Sequence, residues 1–543
     1  MGKLRFTLTN IVFWIVLLLS CFLAENYALF TDSPRSGFDS FPLYLLTFSI
    51  IILLVFYYVL EHKKNKLSLD KVILPSFLVM ALILIINIFR QGDRTFINWM
   101  NDGTFSISFD LSSRLLAALQ VVIWVGLLYA IVFVYNRFRL NNESYRWIPK
   151  IYLIIVLLFA LIDLFYEWDI VVGIFAGTYV GSGVEFVFGN ANVWALVLFA
   201  GLLSALVLTY KRFSWYYFAV MIAIFLYMIL TTSATAIYIS LIIMIAYPTF
   251  EIINAIRKNK KKGLIIAAVY VGVLLTLIGL FFLFVKVEVP MFVNFWSFVD
   301  HGVLHKDFLT ITGRTNLWAH IIDLLKGNPL DLIFGLGHQT GSRIFQIYNA
   351  EHMPVKSAHN ALMEVFLRYG LIGVTVYGAM LVAVFVCLVL HIKNKRYRFA
   401  FIYGLAYLAI MAHSVAESTN IFTPNVGGVF FALFFVLPIV NMLQSKKFKE
   451  IKDELVNVEV ETKRIPHSFF IASLIYVAAV IVIVKVINNF VSLDIFSNIV
   501  IAILIIFVTF FVLALTNNQT INMINNNTLS CYLKRLGVSK HEK

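Results

Sequence analysis

Uninterrupted apolar runs of about 20 residues recur along most of this chain. The runs around Ile151–Leu161 and Phe470–Val484 are continuous and do not alternate apolar with polar residues. A helix of this length spans the hydrocarbon core of a bilayer, whereas the strands of an outer-membrane barrel alternate. The chain is 61% hydrophobic and 13% charged, against about 45–50% and about 25% in soluble domains. The sequence therefore predicts an all-α polytopic membrane protein and excludes a cytosolic enzyme with one anchor.

The apolar runs divide the chain into about 14 predicted transmembrane helices. They form a twelve-helix body (1–443), a charged linker (444–466), a two-helix extension (467–515) and a tail (516–543). One pair of spans, 213–230 and 236–250, is also compatible with a single broken helix. The predicted spans are 8–29, 41–60, 72–89, 114–135, 150–167, 191–210, 213–230, 236–250, 264–286, 371–391, 399–417, 426–443, 467–488 and 496–515.

The formal net charge of +14 is best explained by membrane topology. With the N-terminus inside, 31 of the 43 Lys and Arg residues lie in alternate, predicted cytoplasmic segments, which leaves 12 for the outside and the span edges. Positive residues accumulate on the cytoplasmic side of membrane proteins. The sequence therefore predicts a multi-pass protein of the bacterial cytoplasmic membrane with both termini in the cytoplasm, and gives no reason to expect a nucleic-acid partner. Its three cysteines are far apart and predict no disulfide framework.

One predicted external loop, 287–357, is far longer than the others at about 71 residues. Its composition is not that of a disordered segment, because Trp, Ile, Leu and Phe recur in it. Apolar residues spaced as on one face of a helix run from Leu317 to Leu325, with His320 and Asp323 between them. The pattern predicts an amphipathic helix that lies along the membrane interface or covers a groove in the bundle.

Several familiar catalytic motifs are absent from the chain. It has no GxxxxGK[ST] phosphate loop, no HExxH zinc motif and no Asp-x-Asp pair for a metal–nucleotide. We therefore expect no metal and no cofactor. Acidic residues deep in the predicted spans are also few, and Asp163 is the clearest of them. An ion-coupled transporter normally needs such groups near the middle of the membrane.

The second half of the long loop holds the residues that carry chemistry. Gly313–Trp318 opens the amphipathic helix, Asn328-Pro329 ends it, and Phe334–Gly337 follows as a turn. Ser357–Asn360 then begins a short helix that Tyr369-Gly370 stops. On this helix, residues four apart share one face: Asn360, Glu364 and Arg368. The helix dipole at the N-terminus favours a neutral imidazole on His359, as a general base for a hydroxyl requires.

These segments, taken in order, resemble the O-antigen ligase and Wzy-type polysaccharide polymerase family. The series is GR-x3-W, NP-x4-FG-x-G and S-A-H-N-x3-E-x3-R-x-G-L-I-G, and the resemblance is densest over 313–378. A weaker similarity joins Gly177-Thr178 and Phe188–Asn192 to the family's Gly-Thr and Asn-Pro-Asn segment. The rest of the chain is similar only in its pattern of spans.

The resemblance implies a GT-C-like helical bundle that performs metal-independent glycosyl transfer. The donor is then a glycan on undecaprenyl diphosphate, and the attacking group is a sugar hydroxyl. Arginine forks match phosphate oxygens, which favours Arg314 and Arg368 as diphosphate ligands. His359 is the candidate base, and Asn360 and Glu364 orient it or the sugar. Further candidate substrate contacts are Arg343, Arg90, Arg94, Arg114 and Asn192, the last of which is as readily a helix-capping residue.

This chain departs from the family at one position. Relatives carry a Ser-Arg pair where this sequence has Thr231–Thr235, so that Ala234 replaces the arginine. Two other functions stay open: a lipid-linked oligosaccharide flippase, and a non-catalytic assembly subunit that docks through its loop. Polymerase and ligase share these motifs, and the abundance of Phe, Ile, Asn and Lys favours a polymerase by indicating an AT-rich genome. Other polysaccharide-assembly proteins, such as a flippase or a chain-length regulator, are the expected protein partners.

Overall fold

A computed structural model describes most of the central part of the chain. It covers residues 94–97, 104–107, 147–179, 183–185, 190–304, 314–337 and 358–417, with single positions at 79, 82, 83, 86, 90, 181 and 344. This part is predominantly helical, and five of its helices are long and apolar enough to cross a membrane. All described residues belong to one compact unit.

Eleven α-helices and a short antiparallel hairpin make up the described elements. The strands are β1 (Arg94–Ile97) and β2 (Thr104–Ile107), and a π-helical turn (Asp300–Leu304) follows the seventh helix. The helices are α1 (Trp147–Tyr166), α2 (Trp168–Ala176), α3 (Ala191–Leu208), α4 (Trp215–Ile229), α5 (Ala234–Lys258), α6 (Lys260–Lys286), α7 (Pro290–Val299), α8 (Arg314–Lys326), α9 (Pro329–Phe334), α10 (Ala361–Lys393) and α11 (Tyr397–Ala416).

Seven of the predicted spans coincide with helices of the structure, namely α1, α3, α4, α5, α6, α10 and α11. The spans predicted at 8–29, 41–60, 114–135, 426–443, 467–488 and 496–515 lie outside the described residues, as do the linker 444–466 and the tail 516–543. Within 72–89, four described positions are helical.

The alternative of one broken helix over 213–250 is wrong. The chain forms two helices, α4 and α5, joined by the turn Leu230–Ser233, in which Thr232 has a φ of 52°. The Ser240 hydroxyl of α5 donates to the Met228 sulfur of α4 over 3.5 Å, so the two helices pack against each other. The turn itself is buried.

The helices differ sharply in how much protein surrounds them. In α3, 89% of the residues are buried, whereas none is buried in the most apolar stretch of α6. A helix that is hydrophobic all round lies within a core or faces lipid. The helix α3 is therefore the centre of the bundle, packed by α1, α4, α5 and α11, and α6 lies at its edge.

A tight connection joins α5 to α6 through the single residue Asn259. Its side chain accepts a hydrogen bond from the Lys262 N–H over 3.0 Å and so caps α6. A Cβ on Gly263 would overlap the backbone of Ile256 in α5, so the close approach of the two helices requires glycine there. The basic residues Lys260–Lys262 thus form the first turn of α6.

A short hairpin of β1 and β2, which the sequence pattern does not predict, accompanies the helices. Arg94 pairs with Ile107 and Ile97 with Thr104 in antiparallel register. The hydroxyls of Thr95 and Ser106, which are opposite each other, lie 2.9 Å apart. The strand β2, Thr-Phe-Ser-Ile, alternates polar with apolar residues, which is the pattern of a half-exposed strand. The hairpin lies in the connection after predicted span 72–89.

The long loop is ordered where the structure describes it. Its first part, α7 and the π-helical turn, packs back onto the bundle. The Asn294 amide donates to the Phe175 carbonyl over 3.0 Å, and the rings of Phe175 and Phe295 stack with centroids 5.3 Å apart. A Cβ on Gly302 would lie 2.6 Å from the Thr232 side chain, so the π-helical turn presses on the buried α4–α5 turn.

Candidate functional site

The predicted amphipathic helix is α8, and it begins at Arg314 as expected. Leu317, Ile321 and Leu325 form its buried face. This face packs with Leu336, Ile344, Ala358 and Leu367, so the helix closes a small core with the rest of its own loop and the start of α10. The indole N–H of Trp318 donates to the Ala358 carbonyl over 2.9 Å. These contacts fix α8 beside the N-terminus of α10.

The FGLG turn after α9 packs against a break in α10. Gly370 has φ 62° and ψ −159°, which interrupts the helix where the sequence predicted a stop. The break exposes the carbonyls of Leu367 and Arg368, and the N–H groups of Leu336 and Gly337 bond to them over 2.9 Å and 3.0 Å. A Cβ on Gly370 would overlap the Ile333 carbonyl, so both the backbone angle and the close approach demand glycine.

Three helix ends converge at one place, and Asn360 joins two of them. Its side-chain oxygen accepts hydrogen bonds from the N–H groups of Leu362 and Met363, at 2.9 Å and 3.0 Å, and so caps α10. Its amide nitrogen donates to the Val415 carbonyl over 3.1 Å at the end of α11. Carbonyls in the last turn of a helix have no partner within it, so Asn360 satisfies one of them.

Arg314 brings the N-terminus of α8 to the same place. Its guanidinium donates to the Ala416 carbonyl, the next one along the end of α11. It also lies 3.8 Å from the Glu417 carboxylate. One arginine therefore contacts both a helix-end carbonyl and the first side chain beyond that helix, which its planar fork of donors permits.

His359 and Glu417 form the chemical centre of this junction. The His359 Nδ1 atom lies 3.2 Å from Oε2 of Glu417. An ionised carboxylate only accepts hydrogen bonds, so Nδ1 carries the proton and, in the neutral ring, Nε2 holds the lone pair. The two side chains are 24% and 16% exposed, which leaves them within reach of a ligand. This arrangement orients an imidazole as a base.

The backbone at His359 is strained. Its φ of 47° lies in the left-handed region, which costs a non-glycine residue on the order of 1–2 kcal/mol. Bonds on both sides hold it there, because the Ala358 N–H donates to Glu364 and Asn360 binds α11. Strain of this kind clusters at functional sites.

Opposing effects act on the Glu417 carboxyl. Burial raises its pKa, but the hydrogen bond from His359 and the charges of His359, His413 and Arg314 outweigh burial, so the pKa lies below its usual value. His413, one turn earlier on α11, is buried with its ring stacked on Phe199 at 5.2 Å. The carboxylate therefore stays ionised at neutral pH.

The structure gives Glu364 and Arg368 a different place from the one predicted. Glu364 is 1% exposed; its carboxylate accepts from the Ala358 N–H over 2.9 Å and pairs with Arg368, which is itself buried. The four-residue spacing placed both on one helix face, as predicted, but that face is turned inward. The Glu364 bond to Ala358 holds the backbone next to His359, whereas the acid that contacts the His359 ring is Glu417. The catalytic role of Glu364 and the diphosphate-binding role of Arg368 stay predictions.

The other predicted cations are distributed as follows. Arg90 pairs with the buried Asp331 of α9, and its guanidinium lies 6.0 Å from the centre of the Phe334 ring. Arg94 begins β1. Arg114 and Arg343 lie outside the described residues. Of the arginines predicted for the site, Arg314 is the one that the described part of the chain places at the junction.

The structure also locates two further residues singled out in the sequence, Asn192 in the first turn of α3 and Ala234 at the start of α5. The residue that caps α3 is Asn190, whose side chain accepts from the Asn192 N–H over 2.9 Å, so the capping role considered for Asn192 belongs to its neighbour. Ala234 is the buried first residue of α5.

Glu417 is a candidate site residue that the motif does not include. It lies 58 positions from His359 in the sequence and outside the string 313–378. One feature of the sequence points to Glu417: it lies at the predicted outer end of a span, on the same side of the membrane as His359. Within the described ranges, no three His, Cys, Asp or Glu side chains are grouped so that they could hold a metal ion.

Comparison with models of known protein families, with characterised proteins and with solved structures finds no match for this chain.

Proposed function

We propose that this protein is an integral membrane glycosyltransferase that moves a lipid-linked glycan onto a sugar hydroxyl. The observation that carries the proposal is the His359–Glu417 pair, 3.2 Å apart, with Arg314 on the same carboxylate. An oriented imidazole beside an arginine is suited to a reaction that needs a base for a hydroxyl and a cation for phosphate. The sequence resemblance over 313–378 to O-antigen ligases and Wzy-type polymerases supports the same chemistry.

In the proposed reaction, Nε2 of His359 takes the proton of the acceptor hydroxyl. The hydroxyl oxygen then bonds to the anomeric carbon of the donor as the bond from that carbon to the diphosphate breaks. Undecaprenyl diphosphate leaves with the bonding electrons. Glu417 stabilises the imidazolium that forms, because a fixed carboxylate bound to Nδ1 favours the positive ring.

Arg314 is the proposed diphosphate ligand. Its contacts with Ala416 and Glu417 occupy part of its guanidinium, and its side chain is 19% exposed. An arginine presents five N–H donors, so the group retains donors for phosphate oxygens. The longer of its two contacts, 3.8 Å to Glu417, is a loose ion pair that an incoming diphosphate would weaken.

The proposed location is the outer face of the bacterial cytoplasmic membrane, with both termini inside. The distribution of 31 of 43 basic residues on one side supports this orientation. The contact of Asn360 with Val415 fits it, since α10 and α11 then cross the membrane and return the chain to its starting side. A polymerase of repeat units is favoured over a ligase.

A lipid-linked oligosaccharide flippase is the alternative. The observation in its favour is the buried carboxyl of Asp163, which the proposed transfer reaction does not use. The two functions differ in what accumulates when the gene is deleted. Single repeat units on the outer face indicate loss of a polymerase, whereas units retained inside indicate loss of a flippase.

Membrane vesicles supplied with lipid-linked repeat units test the proposal directly. We expect His359→Ala to insert and accumulate normally but to form no polymer. His301→Ala, which removes an exposed histidine from the same loop, is the matched control and should retain activity. Long polymer from the His359 variant would remove this residue from the mechanism.

A further inference from the structure

A buried carboxyl lies between α1 and α4, outside the candidate site. Asp163 is fully buried, with 0% of its surface exposed. The Tyr227 hydroxyl of α4 donates to its Oδ2 atom over 2.6 Å. Its other oxygen, Oδ1, is also buried and has no hydrogen-bond partner among the described residues.

The surroundings of Asp163 contain no opposite charge in the part of the chain that is described. The helix α3 carries no titratable side chain and contributes Trp194, whose ring lies 6.5 Å from that of Tyr227. The next acid along the chain is Glu167, which directly follows α1 and whose N–H donates to the Asp163 carbonyl over 2.8 Å. The titratable side chain of α2, Asp169, is exposed and also acidic.

An ionised carboxylate is poorly accommodated in such a place. Removing a charge from water without a counter-ion is so unfavourable that buried groups neutralise instead. The hydrogen-bonding side chains of Tyr227 and Trp194 favour the charged form, but burial outweighs them and the negative charge of Glu167 acts against a second charge nearby. A proton on Asp163 removes the charge and leaves the Tyr227 bond intact, because Oδ2 still accepts it.

We propose that Asp163 is a proton-binding site within the helical bundle, occupied at neutral pH, which exchanges its proton through Glu167. Glu167 is suited to this exchange because it is partly exposed and lies at the end of α1. Its carboxylate accepts from the Glu185 N–H over 3.0 Å, which holds it in place. The ligand of this site is a proton, and the site is independent of the glycosyl transfer proposed above.

Infrared difference spectroscopy of the purified full-length protein in lipid nanodiscs tests the site without any substrate. We expect a carbonyl band of a protonated carboxylic acid at neutral pH that is lost in Asp163→Asn. Asp169→Asn is the matched control: it removes an exposed acid from the next helix and should leave the band unchanged. An identical spectrum for wild type and Asp163→Asn would overturn the proposal.

Two further variants keep the test decisive if Asp163→Asn does not fold. Tyr227→Phe removes only the hydroxyl, so the band should remain and shift in frequency because its hydrogen bond is lost. Glu167→Gln should slow the exchange of the carboxyl proton for deuterium after transfer to D2O. If Tyr227→Phe leaves the frequency of the band unchanged, the assignment to Asp163 is wrong. If the carboxyl proton of Glu167→Gln exchanges at the wild-type rate, the proposed route through Glu167 is wrong.

Discussion

The Nδ1 atom of His359 lies 3.2 Å from the Oε2 atom of Glu417, although the two residues are 58 positions apart in the sequence. The contact joins the start of α10 to the end of α11. It selects the tautomer of the imidazole, because the carboxylate accepts the Nδ1 proton and leaves the Nε2 lone pair for a substrate. The proposed base is therefore oriented by an acid outside the recognisable motif.

Replacement of Glu417 by glutamine should impair transfer while preserving the fold. The amide keeps the size of the carboxylate but no longer stabilises a positive ring or selects one tautomer. General-base catalysis contributes about 10²–10⁴-fold, so we expect a loss of roughly this size in kcat. The measurement is polymer formed per molecule of protein in vesicles.

The control for this substitution is Asp323→Asn, which removes an exposed carboxylate from α8. It should have an activity close to that of the wild type. A Glu417→Gln variant that is equally active would show that the carboxylate does not support the base.

Arg314→Lys should reduce activity although it retains the positive charge. A lysine ammonium is a point charge, and it does not reproduce the fork that contacts both the Ala416 carbonyl and Glu417. We expect a higher KM for the lipid-linked donor, measured by initial rates against donor concentration. The control is Lys326→Arg, the reverse substitution at the exposed C-terminal end of α8, which should leave this KM close to the wild-type value. Full activity of Arg314→Lys would indicate that charge alone suffices.

The Glu364–Arg368 pair should contribute to stability and not to chemistry. Loss of one partner leaves an uncompensated buried charge, which costs about 3–5 kcal/mol. We therefore expect Glu364→Gln and Arg368→Met each to lower the thermal unfolding temperature in detergent. The double variant should be less destabilised than the sum of the two, since it buries no charge. Strict additivity, or loss of activity per folded molecule of Glu364→Gln, would contradict a structural role.

Gly370→Ala should destabilise the protein, whereas Gly378→Ala on the same helix should not. Gly370 has a φ of 62° and abuts the Ile333 carbonyl, but a Cβ on Gly378 would meet nothing within 4 Å. The left-handed conformation alone costs alanine roughly 1–3 kcal/mol. Alanine at the regular helical position is favoured over glycine by about 0.5–1 kcal/mol. Opposite shifts in unfolding temperature are expected, and equal shifts would show that the break is not needed.

The pKa of Glu417 predicts a specific acid sensitivity. Because the pKa is below the usual value of 4.5 in the folded state, ionised Glu417 stabilises the fold above pH 4.5. This contribution is lost as the pH falls below 4.5 through the folded-state pKa. The difference in unfolding temperature between wild type and Glu417→Gln should therefore shrink on acidification, and a difference independent of pH would contradict the shift.

Local patterns explain what could be predicted from the sequence. The apolar runs of α3 and α6, the buried face of α8 at Leu317 and Ile321, and the break at Gly370 each depend on residues close together in the chain. For these elements, periodicity and glycine chemistry determine the backbone directly.

Long-range packing explains what could not be predicted. The spacing of Glu364 and Arg368 defines a helix face but not whether that face meets substrate or core. In the described part of the chain, α8 and α9 pack on α10, and this face is buried. Likewise, no local pattern pairs His359 with Glu417, because the pairing depends on how α10 and α11 fold back. The hairpin at Arg94–Ile97 was missed because each strand has only four residues.

The convergence of three helix ends also determines when the site can arise during biosynthesis. Arg314, His359 and Glu417 are synthesised in that order, and the helices α10 and α11 separate His359 from Glu417. A chain emerging from the ribosome therefore carries an incomplete junction until α11 has been inserted. A ribosome-stalled chain that ends before residue 417 would hold His359 without Glu417, so the proposed base would be assembled late in membrane insertion.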